Sequence, residues 1–141
     1  MTPERKAELL KSWALAEGFD LAGVARVEES GQGEALLSWL ERGDQAGMAW
    51  MASRVERRLD PARVLEGARS VLCVGLRYHP LRGEDGEPAG DLWPRVARYA
   101  RGRDYHELMG CGLRRLEDRV AAAFPGTATR RYVDTGPLLE R

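Results

Sequence analysis

Val71-Leu72-Cys73-Val74-Gly75-Leu76 decides the fold class. The run is apolar at odd and even positions alike, so neither face of the strand it predicts is polar. That is the pattern of a central strand covered on both sides by helices. It is far too short to span a membrane. Working outward, the flanks carry helix signals. Thr2 can cap, Pro3 suits a first helical position, Leu9, Leu10, Trp13 and Ala16 share one face, and Gly18 closes the helix. Phe19 to Val27 predicts a short strand, weakened by Gly23. Glu34 to Arg42 predicts a second helix with Leu36, Leu37 and Leu40 inward and Gly43 as its stop. Met48 to Val55 predicts a third, shorter helix, and Asp60-Pro61 opens a turn closed by Gly67. On the far side, Asp104-Tyr105-His106-Glu107 has a cap residue and a glutamate three positions on. The stripe Leu113, Leu116, Val120 follows, and Pro125-Gly126 ends that helix. Gly110 and Gly112 weaken it by roughly 1 kcal/mol each against alanine. Thr127 to Val133 predicts another strand. The expectation is an α/β fold, a small mixed sheet flanked by helices, in one domain over residues 1–141.

Composition bounds the function. With 141 residues and 43% hydrophobic content the chain has enough apolar surface for one ordinary core. Lys+Arg and Asp+Glu are each 22, and the zero net charge argues against a dedicated nucleic-acid clamp, though not against a local basic patch. Cys73 and Cys111 form no C-x-x-C and so no zinc knuckle or iron–sulfur motif. They are expected to be buried thiols in a reducing, cytoplasmic compartment. The amino terminus is charged and has no apolar run of signal-peptide type, so no signal peptide and no membrane association are expected.

Two segments are irregular. Residues 79–94 combine Gly83, Gly86 and Gly90 with Pro80, Pro88 and Pro94, which predicts a long surface loop of a kind often used for function. At the other end, Asp134-Thr135-Gly136-Pro137 is a turn with helix-start chemistry, and Leu138-Leu139-Glu140-Arg141 is one amphipathic helical turn behind it. Isolated helices shorter than about 12 residues are marginal, so the natural domain is expected to continue. The alternative is a frayed tail.

Three constellations could carry chemistry. Arg95-Val96-Ala97-Arg98-Tyr99-Ala100-Arg101-Gly102-Arg103-Asp104-Tyr105-His106 puts four arginines and two tyrosines just before a helix amino terminus. Guanidinium forks, flat phenol faces and the helix dipole suit a phosphate or a large planar cofactor. The same composition also suits a solvated, arginine-rich strand and loop. In Tyr132-Val133-Asp134-Thr135-Gly136-Pro137, an acid at a strand end in a glycine turn can be partly desolvated and can exchange protons. It can equally cap the next helix. Asp-Thr-Gly also resembles the aspartic proteases, whose folds are almost wholly β. Met48-Ala49-Trp50-Met51 followed by Glu56-Arg57-Arg58-Leu59-Asp60-Pro61 has the composition of core packing beside a solvated face. His79 and His106 lack metal-ligand spacing and are expected to be structural. Gly110-Cys111-Gly112 follows no strand and is not a nucleotide loop.

Taken in order, Gly47-Met48-Ala49-Trp50-Met51, Arg57 or Arg58 with Asp60-Pro61, Ala68-Arg69-Ser70-Val71, the block from Ala97 to His106, and Val133-Asp134-Thr135-Gly136-Pro137-Leu138-Leu139-Glu140-Arg141 resemble the epoxyqueuosine reductases. The resemblance runs from about the first helix to the last residue. It implies an oxidoreductase that removes the epoxide oxygen of epoxyqueuosine in a tRNA anticodon, giving queuosine. It implies cobalamin and two 4Fe–4S clusters as cofactors, tRNA as substrate, and a cobalamin-binding core similar to that of the reductive dehalogenases. It gives Asp134 the role of proton donor near the corrin, and makes Arg57, Arg98 and Tyr99 cofactor-binding residues. Metal ligands are expected nowhere in the chain, because the family's glycine-rich segment and its two cysteine clusters are missing. The chain is therefore expected to be an incomplete reductase core, inactive by itself. A non-enzymatic module that keeps the fold and binds through the arginine–tyrosine block is the alternative, and an Asp134-Thr135-Gly136 protease a further one.

Overall fold

The structure is a computed structural model, and it describes residues 1–28, 31–78, 97–100 and 102–139, with only the backbone of Arg98. Its elements run α1 (Pro3–Ala16), β1 (Leu21–Arg26), α2 (Gly33–Glu41), α3 (Ala49–Ala52), α4 (Val55–Leu59), β2 (Ser70–Gly75) and α5 (Tyr105–Ala123), with 3-10 turns at Pro61–Arg63 and Arg98–Ala100.

Local chemistry sets the helix boundaries. Extended Thr2 accepts from the Arg5 N–H at 3.4 Å, and Pro3 takes the first helical position of α1. The helix ends in a Schellman motif: Gly18 N–H donates to the Leu15 carbonyl and Phe19 N–H to the Ala14 carbonyl. That reversal drops Phe19 into the core and starts β1. Asp104 caps α5 by accepting from the His106 N–H at 2.9 Å. Asp60 caps the 3-10 turn through the Ala62 N–H. The helix expected over 48–55 is broken, because Arg54 takes a left-handed conformation (φ 55°) and separates α3 from α4. Of the three leucines expected inward on α2, Leu36 is buried but Leu37 is 42% exposed.

The sheet has two antiparallel strands among the described residues, paired Leu21↔Gly75, Gly23↔Cys73 and Ala25↔Val71, with Ala22↔Val74 and Val24↔Leu72 between. Ala22, Leu72 and Val74 face a core of Ala14, Phe19 and Leu116, joined by Trp13, Leu76, Met109 and Leu113. Gly112 is where α5 meets this core: a Cβ there would lie 2.9 Å from the Phe19 ring.

Several expectations need correction. Among the described residues β2 is covered on one face, not two, since the other face of the sheet carries exposed Leu21 and Cys73. Thr127 to Val133 is not a strand. A strand needs a ladder partner, and side chains hold this segment instead: Arg131 pairs with Glu117, and Arg130 donates to the Val64 carbonyl and lies over the Tyr132 ring. Leu138 and Leu139 are not helical, while Glu140 and Arg141 lie outside the described residues. The loop expected at 79–94 and His79 also lie outside them. Cys73 and Cys111 are exposed, not buried. The β-rich architecture an aspartic protease requires is absent from the described residues. No described helix is long and apolar enough to cross a membrane.

Candidate functional site

The site forms where the start of α5 meets the turn at 133–136. Capping by Asp104 fixes the first turn of α5 and aims Tyr105 at that turn. The Tyr105 hydroxyl donates a short hydrogen bond to Asp134 Oδ2, across 29 positions of sequence. Asp134 holds a left-handed backbone (φ 53°), and behind it Thr135 N–H donates to the Val133 carbonyl at 2.6 Å. Gly136 is required there, since a Cβ would lie 2.7 Å from Tyr132 Cγ. Among the described residues no helix follows Asp134, and its Oδ2 accepts from Tyr105.

Aromatic rings extend from this pair. Tyr105 stacks on His106 with centroids 4.3 Å apart, and Asp104 holds the His106 ring at Nδ1, 2.7 Å away. Tyr99 meets Tyr105 edge to face at 6.1 Å, and Tyr78 meets Tyr99 edge to face at 6.2 Å. Tyr78 and Tyr99 are 66% and 54% exposed, so the row presents ring faces to an incoming group.

Electrostatics favours a protonated phenol. The hydrogen bond to Asp134, then burial, then the charges of Asp134 and Asp104 push the Tyr105 phenol up to about 12. Tyr105 is therefore a fixed donor at neutral pH. Hydrogen bonds from the His106 backbone and ring pull Asp104 below the ordinary carboxylate range. Asp134 is exposed, with Oδ2 tied to Tyr105 and Oδ1 unbonded among the described residues. Such a carboxyl is oriented and accessible, the arrangement a proton-transfer group needs.

Of the residues singled out in the sequence, Asp134 and Tyr99 come together through Tyr105. Arg57 lies half-buried on α4, with no bond to this cluster among the described residues. Arg98 lies in the 3-10 turn that carries Tyr99, and its side chain is outside the described residues. Tyr105 lies in the arginine–tyrosine block but had no role assigned to it, and Tyr78 was missed. For Tyr105 the signal was its place directly after the capping Asp104; Tyr78 carried none. Among the described residues no group of three or more His, Cys, Asp or Glu could hold a metal ion.

Comparison with known proteins gives this geometry a context. The family described as "Epoxyqueuosine reductase QueG, DUF1730" matches residues 58–135, which include Tyr99, Tyr105 and Asp134. An epoxyqueuosine reductase of Synechococcus sp. (strain CC9605) is 43% identical over 142 residues, covering 97% of this chain and 42% of the relative. One from Gloeobacter violaceus is 40% identical, covering 96% of this chain and 41% of the relative. A crystal structure of epoxyqueuosine reductase with an epoxyqueuosine-modified tRNA-Tyr stem loop superposes with a TM-score of 0.75 at 26% identity, over 96% of this chain and 36% of that one. The Streptococcus thermophilus epoxyqueuosine reductase shares the fold with a TM-score of 0.77 at 21% identity. The chain thus spans about two fifths of the length of the curated relatives it matches. On the family match across the site and relatives of this similarity, the chain belongs to the epoxyqueuosine reductase family.

Proposed function

We propose that this chain is the N-terminal part of an epoxyqueuosine reductase, and that it forms one wall of the site where epoxyqueuosine in tRNA is reduced to queuosine. The observation that carries the reading is the Tyr105–Asp134 hydrogen bond, which joins two separate sequence blocks into one acid cluster within a member of that family. The tRNA stem loop bound to a solved relative supports tRNA as the substrate, and the reading carries a cytoplasmic location.

Converting an epoxide to an alkene releases its oxygen as water and consumes two electrons and two protons. The chain's own residues suit the proton side. Asp134 delivers a proton to the departing oxygen, and the Tyr105 hydroxyl orients the acid and stabilises the carboxylate left behind. Exposed Tyr99 and Tyr78, in the ring row that leads out from Tyr105, suit the edge of a large flat macrocycle, so the residues present fit one wall of a cobalamin site. Tyr99, Arg98 and Arg57 are the residues assigned to hold it. When bound there, cobalamin would supply the two electrons; the described residues offer no ligand cluster for iron–sulfur centres.

The test is Asp134→Asn in a complete enzyme, made by joining this chain to the rest of a family sequence. Turnover should fall by roughly 10²- to 10⁴-fold, the usual contribution of an acid–base group, with cobalamin binding retained. Near-normal turnover in the Asn enzyme would leave Asp134 a structural residue.

A further inference from the structure

The face of the sheet turned away from the core is apolar and, among the described residues, largely bare. Leu21, Gly23 and Ala25 of β1 alternate onto it, opposite Gly75, Cys73 and Val71 of β2. Leu21, Gly23, Cys73 and Gly75 line a shallow, open depression in which Leu21 is 68% exposed. None of the six is charged. An antiparallel sheet that leaves one face in water normally alternates polar residues outward, and this one does not. Gly23 and Gly75 bring the backbone close to the surface, which suits an element packed tightly against it. Each strand also has one edge unpaired among the described residues, and a two-stranded sheet by itself is marginal in water.

The lengths of the relatives say what belongs there. This chain matches 42% of the Synechococcus reductase and 36% of the solved chain with the tRNA stem loop, while covering 97% and 96% of itself. We infer that the bare face and its strand edges are the docking surface for the remaining portion of a family chain, which lays an apolar layer over Leu21, Ala25 and Val71. The inference rests on the reading of this chain as part of such a reductase. Residues 79–96 are a poor alternative source of that layer, since they carry three glycines, three prolines and six charged residues.

Cys73 reports on the face directly, because it is exposed at its centre. The 141-residue chain is compared with two forms: the chain co-produced with the unmatched portion of the Synechococcus reductase, and the same two parts fused in one polypeptide. Alkylation is read by mass spectrometry on the peptide containing Cys73. In either combined form it should slow by at least about tenfold, because thiol reactivity follows exposure. Leu21→Arg leaves the isolated fold intact, as far-ultraviolet circular dichroism will verify, and weakens association by about tenfold or more through a buried unpaired charge. If the parts do not associate in trans, the fused form decides. Equal Cys73 reactivity in the isolated and fused chains overturns the docking surface. So does a self-associated chain whose dimer is lost on Leu21→Arg, which would give the face to a second copy. An inactive fusion with Cys73 protected counts against the enzymatic reading alone; an active fusion with Cys73 reactive counts against docking alone.

Discussion

Asp134 sits in the left-handed region of the backbone (φ 53°), where aspartate and asparagine are tolerated and most side chains are strained. Asparagine therefore keeps the turn and can still accept from Tyr105, so Asp134→Asn removes the carboxyl group's acid–base capacity and little else; alanine would add backbone strain to the loss. Tyr105 gives a second test at this scale. Its folded pKa, about 12, lies above the unfolded phenol value of about 10. The stabilisation it brings is fully present below about pH 10 and is lost as pH rises toward about 12. Tyr105→Phe should abolish the phenol transition near pH 12 in an absorbance titration, and should flatten the loss of stability over that window. A late-titrating phenol that survives in the Phe variant would assign the shift elsewhere. Asp134 was legible because it lies in a recognisable block. Its partner was not, because a contact across 29 positions is made by tertiary packing and leaves no local pattern.

The elements divide by how local their causes are. Thr2-Pro3, Asp60-Pro61 and Asp104 mark helix or turn starts through bonds within three residues, and all three lie where the sequence puts them. The break at Arg54 and the missing strand at 127–133 depend on neighbours, and a β-like composition without a ladder partner stays irregular. Two glycines of α5, alike in sequence, show the same division. A Cβ at Gly110 meets nothing within 4 Å, so Gly110→Ala should stabilise the chain by up to about 1 kcal/mol through helix propensity. At Gly112 the Cβ would lie 2.9 Å from Phe19 Cζ and 3.1 Å from Cε2, and that ring is buried and cannot swing away. Overpacking costs about 1–3 kcal/mol, more than the propensity gain, so Gly112→Ala should destabilise. Urea unfolding midpoints at constant slope measure both, and a stabilised Gly112→Ala chain would show that the Phe19 contact yields.

At the scale of the whole molecule, charge balance limits what the chain can hold unaided. Net charge is zero, and many arginines are already engaged: Arg115 and Arg119 with Glu17, Arg131 with Glu117, Arg42 with Asp44 and Arg63 with Asp60. The apolar character of 71–76 on both faces was legible in the sequence, but the exposure of the outer face among the described residues was not, because it depends on tertiary neighbours and not on local pattern. A tRNA stem loop offers phosphates, and the basic block here contributes Arg95, Arg98, Arg101 and Arg103. Four neutralised phosphates give a slope of log affinity against log salt of about −3, a loss of about sixty-fold between 50 and 200 mM salt. Binding built on so few contacts should be weak at physiological salt. Fluorescence anisotropy with a labelled tRNA-Tyr anticodon stem loop should therefore show binding at low salt that fades steeply. Nanomolar affinity persisting at high salt would mean that the exposed tyrosine row, stacking on unpaired bases at about 1–3 kcal/mol each, carries recognition that charge does not.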